Sequence, residues 1–250
     1  MRFIIFAKRN FKEIVRDPLS LIFCLGFPLG LLLIFQLIIQ GIGEEAMNAT
    51  PQFRIDNLSI SIAVFSYSFV TLFSGMIVSK DRTTSFLARL RTSPMKAKDF
   101  MLGYTLPLLP IIIVQTLLCF CLCFLFGLTP SIHLFVAFLI LIPSALFFIL
   151  LGLLLGTIFN DKAIGGIASI VINLGAILGG MFFPLRVMQG SLVTIAYMLP
   201  FANGIDAALF ALQGDYSHIL KPFLIILVYL VVLAVITIRV FHKKLQSEKN

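Results

Sequence analysis

Charge is what this chain has least of. Only 12% of its 250 residues are Asp, Glu, Lys or Arg, about half the share usual in soluble domains, and this excludes an ordinary soluble globular protein. The deficit is concentrated: residues 18–43, 57–79, 100–160, 163–185 and 222–238 contain no charged side chain at all. Ionisable groups are absent from the middle of each run, because every carboxylate maps to a loop, a tail or a run's end. His133, His218 and His242 do the same. Ion- or proton-coupled carriers place such groups inside the bilayer despite the cost, so a secondary transporter lacks its machinery here. Catalytic signatures are missing too. No Gly is followed by Lys, which rules out a G-x-x-x-x-G-K-[ST] phosphate loop, and neither H-E-x-x-H nor G-x-S-x-G occurs. The chain carries no enzyme motif and no cofactor site of its own. The four cysteines, Cys24, Cys119, Cys121 and Cys123, fall within the apolar runs with no His or carboxylate beside them. They read as packing residues and not as a metal site.

What is present is hydrophobic length, with a mean hydropathy of +1.07. A span needs about 20 apolar residues. Four runs supply one each, and 100–160 supplies two, divided near Gly127-Leu-Thr-Pro130. The expectation is an all-α integral membrane protein, one transmembrane domain over 1–250. Its six spans lie at about 18–41, 58–79, 101–126, 134–159, 163–183 and 219–239. The first run is too long for a signal-peptide core and lacks a small-residue cleavage site, so it stays as a span. Residues 1–17 alternate Phe3, Phe6, Ala7, Phe11 and Ile14 with Lys8, Arg9, Lys12, Glu13 and Arg16 at helical spacing. That pattern predicts an amphipathic helix lying in the membrane interface, cations toward anionic headgroups. Within 184–218, SLVTIAYMLPFANGIDAALFAL is apolar, but Pro200 splits it into pieces too short to cross. It reads as a re-entrant helical pair on the outer side between spans five and six, with Asn203 and Asp206 near the outer mouth.

Six spans place both ends of the chain on one side. That side then holds 16 of the 19 Lys and Arg residues, against Arg54, Arg186 and Lys221 opposite. The positive-inside rule turns this bias into an orientation: multi-pass in a cell membrane, both termini cytoplasmic. The net charge of +8 is thereby explained by topology, and no nucleic-acid partner is implied. Small residues one turn apart recur, at Gly26 and Gly30, Gly152 and Gly156, Gly175 and Gly179. Such faces let helix backbones approach closely in lipid. The fifth span is the richest in them, for packing either within the chain or across a dimer.

The exception among the apolar runs is 80–100, KDRTTSFLARLRTSPMKAKDF, with eight charged residues. Asp81 or Thr83 is placed to cap a helix start. Phe86, Leu87 and Leu90 share an apolar face, Arg82, Arg89 and Arg91 surround it, and Ser93-Pro94 ends it. An apolar ridge ringed by guanidinium groups suits an acidic-edged groove on a partner. The competing reading is a basic loop that fixes topology alone. Mild polar groups at depth, with Tyr67, Phe69, Phe73 and Asn173 foremost, either bond between helices or line a path for an amphipathic substrate.

Taken in order, RNFKEIVRDPLSLIF, the stretch SKDRTTSFLARLRTSPMKAKDFMLGY, LGLLLGTIFNDKAIGGI and GGMFFPL with YMLPFANGIDAAL resemble the type-2 ABC exporter permeases across essentially the whole chain. The resemblance implies a six-span subunit that pairs with a second copy or a homologous permease. Two separate cytoplasmic ATPase subunits, which bind ATP and Mg, would drive the pair. It implies that 80–100 is the coupling helix loop docking on the ATPase, through Asp81, Arg82, Phe86, Leu87, Arg89, Leu90 and Arg91. Export of a lipophilic or amphipathic substrate follows from the resemblance as well. A common family pattern has Glu-Arg where this chain reads Asp81-Arg82. A non-transporting membrane scaffold is the other reading that the composition tolerates.

Overall fold

With no water in the hydrocarbon layer, a spanning segment has to satisfy its own backbone, and the helix does so within one segment. The computed structural model describes residues 2–41, 51–83, 97–181, 185 and 189–247. Among the described residues the regular structure is helical throughout. Helix α1 covers Arg2–Val15. A single turn, α2, at Pro18–Leu21 runs through a π-helical turn, Ile22–Gly26, into α3 at Phe27–Gly41. The π turn has a local cause: Pro28 cannot donate to the carbonyl four residues back, and its ring crowds that carbonyl. The wider turn, closed by Phe27 N–H to Ile22 O, moves the preceding carbonyls aside. The rest are α4 (Ile55–Thr83), α5 (Ala97–Leu125), α6 (Ile132–Ile158), α7 (Asp161–Leu178), α8 (Ser191–Met198), α9 (Pro200–Leu212) and α10 (Leu220–Ser247).

Six of these elements are long and apolar enough to cross a membrane, the first being Ile22–Gly41. Pro107 and Pro110 lie inside α5 and Pro143 inside α6, so none of the three begins a span. Helix α4 is the hub: 83% of its apolar window is buried inside the chain, against 11% for α10. It packs on α6 most extensively and also on α7, α5 and α9.

Glycine sets the α4–α6 crossing. A Cβ on Gly156 would sit 2.3 Å from Gly75 O, and one on Gly152 would sit 2.3 Å from Thr71 O. Across this contact the Thr71 hydroxyl donates to Phe148 O at 2.9 Å and the Ser74 hydroxyl approaches Ile149 O at 3.2 Å. Interhelical bonds of this kind are worth roughly 0.6–2 kcal/mol each.

Helix ends are capped where the chain turns sharply. Ser131 Oγ accepts from Leu134 N at the start of α6, and Asn160 Oδ1 accepts from Ala163 N at the start of α7. Only Phe159 and Asn160 separate α6 from α7. Asn160→Ala is therefore expected to cost about 1 kcal/mol, read as a lowered thermal midpoint with the helical content unchanged.

Helices α8 and α9 are bent by 77° at Leu199, and Pro200 occupies the first turn of α9, where its missing N–H costs nothing. The Asn203 amide donates to Tyr197 O at 2.8 Å and Leu199 O at 2.6 Å, and the residue is 4% exposed. It ties the bend together, because the carbonyls freed at the bend need a donor. Phe100 and Phe241 rings meet at 5.7 Å, which brings the start of α5 and the last turns of α10 to one end of the bundle. At the other end His133, before α6's second turn, bonds Tyr216 Oη at 2.7 Å. The bent α8–α9 pair lies between α7 and α10 in the chain.

Candidate coupling junction

At the basic end of the bundle α1 lies against α5. Phe6, Asn10 and Ile14 recur at i, i+4 and i+8 and are all buried. Phe6 sits edge-on to Tyr104 at 4.8 Å and to Phe100 at 5.9 Å. It nests where Gly103 has no side chain, since a Cβ there would fall 2.2 Å from Phe6 Cδ1. Asn10 Nδ2 donates to Gly103 O at 3.0 Å. The lipid-facing stripe expected of α1 is thus partly a helix-packing stripe. Of its other large apolar side chains, Phe3 is half-buried and Ile4, Ile5, Phe11 and Val15 stay exposed.

The same face carries an ion pair into the bundle. Arg9 presents a fork to Asp81, with Nη1 to Oδ2 at 2.9 Å and Nη2 to Oδ1 at 3.2 Å. Tyr104 Oη donates to Asp81 Oδ2 at 3.0 Å. Asp81 is 3% exposed, and this bidentate geometry is the strong form of such a pair. Arg9 also meets Glu13 at 2.8 Å, and Lys80 reaches Glu13 at 3.8 Å. Partial burial pulls the Arg9 guanidinium down; the hydrogen bond and charge of Asp81, helped by Glu13, outweigh it and hold it above its ordinary value.

Next along α4, Arg82 Nη1 donates toward the carbonyls of Gly156, Thr157 and Phe159 at 2.9, 2.5 and 3.1 Å. A cation there satisfies carbonyls that α6 leaves open and complements its negative dipole end. One turn earlier Ser79 Oγ donates to Asp161 Oδ1 at 3.2 Å. Four consecutive residues, Ser79 to Arg82, therefore fasten the end of α4 to α7, α1, α5 and α6.

Asp81 does not open a docking helix, because α4 continues through it to Thr83. Asp81 and Arg82 are turned to contacts within the chain, since a carboxylate and a guanidinium at this depth require partners. Phe86, Leu87, Arg89, Leu90 and Arg91 lie outside the described residues. Each of the four path candidates has its own neighbours. Tyr67, 1% exposed, shares a 2.6 Å hydrogen bond with Thr116 beside a cavity of about 30 Å³, room for a water or two and no more. Phe69 packs on Phe27 and Phe65. Phe73 lines a groove beside α1, and Asn173 is exposed on α7, its amide donating to Ser169 O at 2.8 Å.

Arg9, Asn10, Gly103 and Tyr104 are the junction residues that periodicity alone misses. The available signal was Asn10, a polar residue set in the stripe Phe6–Asn10–Ile14. No curated protein matches the chain. The sequence profile described as ABC-2 type transporter matches residues 1–212. With six apolar helices of spanning length and a match over most of its length, the chain belongs to the ABC-2 type transporter family.

Proposed function

We propose that this ABC transporter membrane subunit is an exporter permease. It moves a lipophilic or amphipathic substrate out of the cytoplasm or inner leaflet, driven by two separate ATPase subunits that bind ATP and Mg. The basic end of the bundle faces the cytoplasm, by the Lys/Arg bias of its loops. The observation that carries the mechanism is the fastening of α4 at Ser79–Arg82 immediately before 84–96. A push delivered to that segment enters α4, the most buried span, and reaches α1, α5, α6 and α7 through charged and hydrogen-bonded contacts. ATP-driven closure of the ATPases then shifts the spans together, and a path forms between two permease copies. The exposed face of α7 supports that pairing: Ile170, Asn173, Leu174 and Ile177 are exposed, and Gly165 and Gly166 have open space where a Cβ would stand.

Leu87→Asp and Arg91→Glu test the docking role. Hot-spot residues, which cluster near the centre of an interface, cost about 2 kcal/mol or more when lost, about 30-fold in affinity. Each variant is expected to purify as a folded permease and to lose its ATPase partner in mild detergent, with substrate export falling in parallel. Variants that retain the partner and export normally overturn the reading.

A further inference from the structure

A groove of about 840 Å³ lies between α1 and the basic-end half of α4, within the roughly 300–1,000 Å³ range of ligand pockets. One wall is apolar, made by Phe73, Met76 and Ile77 of α4 with Ile5 and Ile14 of α1. The other carries Lys8, Lys12 and Arg16, one helical turn apart and all exposed. Its acids are Glu13, Asp17 and Asp161. Glu13 is taken up by Arg9 and Lys80, and Asp161 accepts the Ser79 hydroxyl. Asp17 stands at the far end of the row, which leaves cationic charge in excess along the rim.

We infer that this groove binds the phosphate headgroup of an anionic lipid from the adjoining leaflet. The row Lys8–Lys12–Arg16 holds the phosphate, and the first acyl segments lie along Phe73, Met76 and Ile77. Charge and position together favour this occupant. A juxtamembrane cation attracts an anionic lipid surface, and the wall beneath the cations is apolar and belongs to a span. The chain's own 84–96 segment, with Arg89, Arg91 and Lys96, is repelled by the same rim. Folded against Arg9 and Lys80, the site lies directly over the junction, so a bound phosphate adjusts how firmly α1 is held to α4. The inference does not depend on the export reading, and its test needs no ATPase.

The full chain, purified in neutral detergent, is mixed with equal dioleoyl phosphatidylglycerol and dioleoyl phosphatidylcholine, and retained lipid is counted by native mass spectrometry. Phosphatidylglycerol is expected to be retained preferentially. Lys8→Gln/Lys12→Gln/Arg16→Gln should weaken retention at least about tenfold, since each juxtamembrane cation contributes about fivefold. Arg239→Gln/Lys243→Gln should not change it. Met76→Trp, which leaves every charge in place, should also displace the lipid by filling the wall. Equal retention of the two lipids overturns the inference. Loss that is the same for the α10 pair, which does not line the groove, as for the groove triple does so too, as does retention unaffected by Met76→Trp. Displacement by 10-fold excess inorganic phosphate would show a soluble-anion site in place of a lipid site, and also overturns it.

Discussion

Asp81→Ala is expected to uncouple the chain before it unfolds it. The substitution strands Arg9 and the Tyr104 hydroxyl without the carboxylate both of them engage. Breaking a buried pair by removing one partner costs about 3–5 kcal/mol. The Arg9 side chain is 36% exposed, so water recovers part of that, and about 2–3 kcal/mol is expected. The chain has no tryptophan, but its buried free thiols Cys24, Cys119 and Cys123 report unfolding through a thiol-reactive dye in a Cys121→Ser background. The onset temperature should fall, and in a complex with the ATPase the stimulation of hydrolysis by substrate should be lost. Arg9→Ala/Asp81→Ala should be less damaged than the sum of the single variants, because the second change removes the group stranded by the first. Additive losses, or an Asp81→Ala chain that couples normally, would show that the pair transmits nothing.

The second large effect belongs to the helix crossing. Gly156→Leu puts a Cβ 2.3 Å from Gly75 O and three more carbons beyond it. Backbone atoms cannot turn aside as a side chain can, so α4 and α6 have to part. Overpacking typically costs 1–3 kcal/mol, and here about 3 kcal/mol or failure to accumulate as folded protein is expected. Gly152 is tighter at the same contact, with Thr71 O at 2.3 Å and Ser74 Oγ at 1.8 Å from its Cβ position. Gly165→Leu provides the contrast, since nothing lies within 4 Å of a Cβ there. Its thermal midpoint should hold, while cross-linking between two permease copies and transport should fall if that face pairs. Equal midpoints for Gly156→Leu and wild type would refute the crossing as described.

Three of the buried polar residues show why a sequence pattern under-reads a membrane interior. Thr71 and Ser74 bond carbonyls of α6, whereas Tyr67 bonds Thr116 of α5. All three sit on one helix with nearly identical apolar neighbours in sequence. Which helix each meets depends on the rotation of α4 in the bundle, and hydropathy is blind to rotation when all faces are apolar. Asp81 is the plainest case. It stands among exposed-looking charges in sequence, yet α4 carries it inward by continuing one more turn to Thr83.

Sequence alone determined the all-helical class, six apolar elements of spanning length and the broken α8–α9 pair at Pro200. The physics behind these is local and one-dimensional: how many uncharged residues run together, and where a proline interrupts them. It also carried the resemblance to the family that the match over 1–212 shows. Tertiary structure decided the rest. It made α4 the hub, brought Arg9 to Asp81 across 72 residues and set Arg82 on the open carbonyls of α6. It also left Gly165 and Gly166 facing outward while Gly152 and Gly156 closed on α4. Those outcomes depend on which faces meet, and close packing selects them only once the helices are side by side.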